Sequence, residues 1–196
     1  PHAFYFWGQD RMGSIIPLLG QIPFKIFHLS ALTSESIVRY SILLLGFFAF
    51  SSFLKSRFLK IIFALIWFFP PIHLIATIQS FPGVESSLIA IACYFLDYYQ
   101  NEKKRNNILL RHFTLLAITI LLIASIWVSD MALVSVFLLL SLHLFFYLKA
   151  NKLNFYILKK IEFYYAFGGF ILGYIFIHYG KNISQNLRLL KELETF

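Results

Sequence analysis

Apolar residues run through this chain in long unbroken stretches, not in the one-faced stripes of a soluble helix or the alternation of a half-buried strand. Crossing a bilayer core takes roughly 20 mostly apolar helical residues, with about 17–25 tolerated. Six stretches approach or meet that length: Ile37–Phe53, Leu59–Ile78, Val84–Tyr99, Ile108–Val128, Met131–Leu148 and Ile161–Tyr179. Short breaks separate them, which predicts antiparallel neighbours in an all-α, polytopic membrane helix bundle. Phe69-Pro70-Pro71 predicts a kink in the second stretch. Gly169 and Gly173 form a G-x-x-x-G in the last, where helix backbones can approach closely.

The first 35 residues follow a different pattern. Phe4-Tyr5-Phe6-Trp7 reads as an interfacial aromatic belt, followed by Gly8-Gln9-Asp10-Arg11-Met12-Gly13-Ser14. Ile15, Leu18, Leu19, Ile22, Ile26 and Leu29 then recur at helical spacing, with Gln21, Lys25 and His28 on the opposite stripe. This is the signature of an amphipathic helix lying in the membrane interface. Pro17 suits its first turn and Ser14 its cap, while Pro23 predicts a break into two short pieces. The expected organisation is an external loop over 1–35, a six-span bundle over 36–180 and an amphipathic tail over 181–196.

Composition sharpens the class. Of the 196 residues, 59% are hydrophobic and only 13% charged, against about 25% charged in soluble domains. The net charge of +8 does not signal nucleic-acid binding, because the basic residues lie between apolar runs instead of on one face. They fall in alternate loops. Lys55, Arg57 and Lys60, then Lys103, Lys104, Arg105 and Arg111, then Lys149, Lys152, Lys159 and Lys160 make eleven of the 17. The loops Gln79–Gly83 and Ser129–Asp130 carry none. The positive-inside rule therefore places the three basic loops in the cytoplasm and residues 1–35 and the tail on the outer side of a plasma or inner membrane. Cys93 is the single cysteine, so no internal disulfide forms.

An aromatic approach, Gly-Gln-Asp-Arg-Met-Gly-Ser, an interfacial helix pair and a run of spans together resemble the GT-C class of integral membrane glycosyltransferases. The outer loop Phe81-Pro82-Gly83-Val84-Glu85-Ser86 is similar to that class's acid at the start of its fourth helix. The resemblance implies a first transmembrane helix upstream of Pro1, a polyprenyl-phosphate sugar as donor, and a glycan, lipid or protein acceptor on the outer face. This chain departs from the pattern in carrying a single Asp10 followed by Arg11 where many relatives have paired acids; where the resemblance implies a soluble domain after the spans, residues 181–196 read as an amphipathic tail.

Under that resemblance the residues acquire roles. A carboxylate must take the acceptor hydroxyl's proton as it attacks the anomeric carbon, and Asp10 is the expected catalytic base. The leaving lipid phosphate needs a cation, which Arg11 or Lys25 supplies. Glu85 positions the acceptor or, with Asp10, holds a divalent cation. His73, beside the Pro70-Pro71 break, is a further substrate-binding candidate, since polar groups next to broken helices within a membrane face cavities. Asp130 reads as turn chemistry, His143 as a structural histidine, Arg39 as a snorkelling residue, and Asn182-Ile183-Ser184 as a sequon close to the membrane.

Two other classes compete with the enzyme. A flippase or transporter for a lipid-linked substrate needs polar groups through the membrane's depth and matched helix breaks. A non-enzymatic membrane scaffold needs none. The polar residues gather at the outer rim, which favours the enzyme.

Overall fold

The computed structural model describes residues 15–72, 81–102, 108–129 and 131–150, together with 74, 78, 164–165, 167–175 and 178–179. Every regular element among the described residues is helical. The elements are α1 (Ile15–Phe27), α2 (Ala31–Phe53), α3 (Arg57–Phe68), α4 (Phe81–Glu102), α5 (Ile108–Val128) and α6 (Met131–Ala150), followed by helical residues 167–175.

α1 is one helix, not the expected pair. It runs through Pro23, which removes one backbone donor but is buried, on the face that also buries Ile16 and Gly20. Tertiary packing of that face outweighs the local cost. At Gly20 the missing side chain brings α2 close: a methyl group there would stand 3.2 Å from Glu35 Cγ. His28 then adopts φ 52°, the left-handed turn that ends α1. On the other side Leu18, Ile22 and Ile26 remain 45–63% exposed, an apolar stripe on the face away from α2.

α2 begins at Ala31, six residues before the first apolar stretch, because Ser30 caps it. The Ser30 hydroxyl accepts the Thr33 N–H at 3.2 Å, and its carbonyl accepts the Ser34 N–H at 2.9 Å. At the far end Ser51 and Ser52 hydroxyls donate to the carbonyls of Phe48 and Ala49. α3 returns alongside α2 through aromatic contacts, with Phe47 stacked on Phe63 at 5.6 Å and Phe50 at 5.6 Å from Trp67. It stops at Phe68. Prolines at 70 and 71 cannot donate to the helix ladder and force the preceding residue out of helical geometry. The second apolar stretch is therefore interrupted, and α3 alone is about 18 Å long.

α4 and α5 form an antiparallel hairpin. Val84 and Leu88 pack with Val128 at one end, and Tyr99 meets Arg111 at the other. Residues 167–175 lie parallel to α5, since Gly169 abuts Thr119 and a methyl group at Gly173 would stand 3.5 Å from Ile126 Cδ1. The close approach expected of the G-x-x-x-G pattern is thus made against α5.

Two of the described helices, Ala31–Phe53 and Ile108–Val128, are long and apolar enough to cross a membrane. Only 17% and 22% of their most apolar windows are buried, and Leu44, Leu45, Phe48, Leu116 and Ile120 point outward. The other apolar stretches are not shown to be long enough: α3 is too short, α4 carries Glu85, Asp97 and a polar C-terminal turn, and α6 and the last stretch are described only in part.

Candidate functional site

The start of α4 holds the most unusual polar group among the described residues. Glu85 is 9% exposed, between Val84 at 1% and the wholly buried Ser87. Pro82 lies in the first turn of α4, where its missing N–H costs nothing, and Ser86 donates its hydroxyl to the Pro82 carbonyl. Four apolar side chains close the site: Ile15 and Ile16 from the start of α1, Leu88, and Val128 from the end of α5.

A carboxylate in such surroundings needs a donor. Ser129, at the end of α5, follows Val128, which packs with Val84 beside Glu85. Ser129 is itself held on three sides. Its N–H donates to the Ser125 carbonyl at 3.2 Å, its carbonyl accepts the Ala132 N–H at 3.0 Å, and its hydroxyl accepts the Met131 N–H at 3.2 Å. It is the joint between α5 and α6.

Of the residues singled out from sequence, Asp10, Arg11 and His73 lie outside the described residues. So do Asp130, the tail over 180–196 and the basic segments 103–107 and 151–163. Lys25 is exposed in the last turn of α1, roughly 15 Å of helix from the Ile15 end that packs beside Val84. The fold does not bring Lys25 to Glu85. No group of three or more His, Cys, Asp or Glu side chains gathers as a metal site among the described residues.

Ser129 was missed in the sequence because it was read as half of a polar turn. The signal for it was there: a serine two residues before an apolar helix is an N-cap pattern. A second feature also came only from packing. An apolar cavity of about 70 Å³ lies between α4, α5, α6 and residues 167–175, with Cys93, Thr119, His143 and Tyr165 on its wall. The Thr119 hydroxyl is taken by the Leu115 carbonyl at 2.9 Å, and the Tyr165 hydroxyl lies 3.5 Å from His112 Nδ1.

No protein-family model, curated protein or solved structure matches this chain.

Proposed function

We propose that the chain is a multi-pass integral membrane glycosyltransferase of the GT-C type, moving a sugar from a polyprenyl-phosphate donor to an acceptor on the outer face. The observation that carries this reading is the buried Glu85 at the start of α4, beside Val84, which packs with the start of α1 and the end of α5. The segment leading into α1 is Gly-Gln-Asp-Arg-Met-Gly-Ser, and Asp10 lies five residues before Ile15. Covalent reach alone keeps their Cα atoms within about 18 Å.

In this reading Asp10 takes the acceptor hydroxyl's proton as its oxygen forms a bond to the anomeric carbon. The bond from that carbon to the lipid phosphate oxygen breaks, and Arg11 stabilises the charge left on the phosphate with its planar fork of donors. Glu85 orients the acceptor. The exposed apolar faces of α2 and α5 meet lipid, α1 lies in the interface, and the basic loops face the cytoplasm. The six apolar stretches are then six crossings, with α3 and the residues after Pro71 making one of them as a broken helix.

The test is sugar transfer from radiolabelled polyprenyl-phosphate donors in membranes carrying the chain with its natural N-terminus. Wild type is compared with Asp10→Asn at equal expression. Transfer that disappears with Asp10→Asn supports the reading, and transfer that survives removes Asp10 from the reaction. An absence of transfer from a full panel of donors and acceptors overturns the activity itself.

A further inference from the structure

The cavity between α4, α5 and α6 lies at the same height in all three helices. Ala92 at the middle of α4, Ile118 at the middle of α5 and Leu140 at the middle of α6 are all on its wall. We infer that this cavity is a binding site for the terminal carbons of a bilayer phospholipid's acyl chain. The inference rests on the membrane reading of the chain and not on sugar transfer.

The chemistry of the wall selects a hydrocarbon. Ala92, Leu122, Ile126 and Val136 are buried there. The polar groups among them have tasks of their own. The Thr119 hydroxyl donates to the Leu115 carbonyl of its own helix at 2.9 Å. The Tyr165 hydroxyl lies 3.5 Å from His112 Nδ1, and His143 has an interaction partner within the chain. Cys93 counts as a small apolar group. A charged or strongly hydrogen-bonding ligand loses its hydration in such a place and gains too little in return.

Size and depth narrow the choice to a chain end. The volume is about 70 Å³. Water takes about 30 Å³ per molecule and a methylene group is of similar size, so two or three carbon atoms fill the space, and water does not settle in a cavity with such walls. α5 has 21 residues, about 32 Å of helix, which matches a hydrocarbon core of about 30 Å. Its midpoint therefore falls at the bilayer centre, where the acyl chains of the two leaflets end and headgroups do not reach. His143 marks the way in, because it lines the cavity and is also exposed on α6, between the exposed Leu142 and Leu144. Left empty, the cavity deprives its lining of dispersion contacts, and a chain end restores them.

The experiment places the full chain in nanodiscs with one of three photoactivatable probes. The first is a phosphatidylcholine with a diazirine at the end of one acyl chain, the second the same lipid with the diazirine beside the ester, and the third a polyprenyl phosphate with the diazirine at its far end. After irradiation, the labelled residues are mapped by mass spectrometry. Cys93 and Leu122 report the cavity wall, while Leu44, Leu45 and Phe48, exposed on α2, report ordinary lipid contact. The chain-end lipid is expected to label Cys93 and Leu122 severalfold more than the ester-side lipid does. Ala92→Leu and Val136→Leu each extend a buried wall residue into the space and are expected to abolish that labelling while labelling of α2 stays. Leu140→Ala enlarges the space and is expected to increase it.

If α2 is labelled but Cys93 and Leu122 are not, the cavity takes no lipid chain and the inference falls alone. Wall labelling that survives both filling substitutions comes from outside the cavity and overturns it equally. Labelling of the wall by the polyprenyl probe but not by the chain-end phospholipid assigns the cavity to another ligand, against the inference. If no probe labels α2, the membrane reading falls and this inference falls with it.

Discussion

Gly46 of α2 packs directly onto Ser87 of α4, so closely that a methyl group at position 46 would come within 2.8 Å of the Ser87 Cα. The neighbour at that distance is backbone, so it cannot rotate away. Ser87 is fully buried, and its hydroxyl has no hydrogen-bond partner among the described residues, which marks this as a contact chosen for size and not for bonding. Gly46→Ala is therefore expected to lower stability by about 1–3 kcal/mol, as overpacking does, despite alanine's better helix propensity. Ser87→Gly in the same chain should recover part of the loss. Thermal unfolding in nanodiscs checks both, and an unchanged midpoint for Gly46→Ala would show that α2 and α4 do not meet there.

The cap at the start of α2 is a separate test of the fold. Ser30 accepts the Thr33 N–H and also shares a 2.8 Å contact with the Thr33 hydroxyl. Ser30→Ala should cost about 1 kcal/mol and speed amide exchange at Thr33 and Ser34, while exchange in the middle of α5 stays as it was. Ser30→Asp should behave like the parent chain.

At the opposite end of the α4–α5 hairpin, Arg111 donates from Nη2 to the Tyr99 hydroxyl at 3.3 Å and holds its guanidinium 5.7 Å from the ring centre. A double-mutant cycle with Tyr99→Phe and Arg111→Leu is expected to give a coupling of about 1 kcal/mol. Additive effects would separate the two residues.

If the lipid phosphate leaves against Arg11, Arg11→Gln should reduce kcat by about a hundredfold, the usual loss for one oxyanion donor. Arg11→Lys keeps the charge but not the bidentate fork, so it should recover only part of the rate. A lowered affinity with kcat intact would assign Arg11 to headgroup anchoring.

Single cysteines placed at Lys55, Lys103 and Asp130 in a Cys93→Ser chain test the orientation. A membrane-impermeant maleimide added outside intact cells should label position 130 and reach positions 55 and 103 only after permeabilisation. Labelling of position 55 from outside would reverse the orientation, and labelling of 55 and 103 from different sides would remove the alternating topology.

How much of this was legible beforehand differs from element to element. α5 occupies the span read from Ile108–Val128, because a run of that length and apolarity has no other favourable conformation in a membrane or in a core. The stop before Pro70-Pro71 was equally plain, since proline acts through its own ring and missing donor. Pro23 went the other way. Its local penalty was read correctly as chemistry, but α1 runs through it because its buried face rests on α2, a contact that no local pattern encodes. The early start of α2 lay seven residues before the apolar run, in Ser30, whose role as a cap depends on backbone geometry there.

For the site the division is sharper. Glu85 could be picked out by its type and position, an acid at the head of an apolar run. Its burial could not, because Val128, which packs with Val84 beside it, is 44 residues from Val84 in sequence and meets it only once α4 and α5 have paired. The helical class and the apolar faces of α2 and α5 were determined by the sequence itself, through period and composition, which act within a single element. Which polar groups face each other was decided by tertiary structure alone, because side chains from different helices come within hydrogen-bond distance only when the helix ends are brought together.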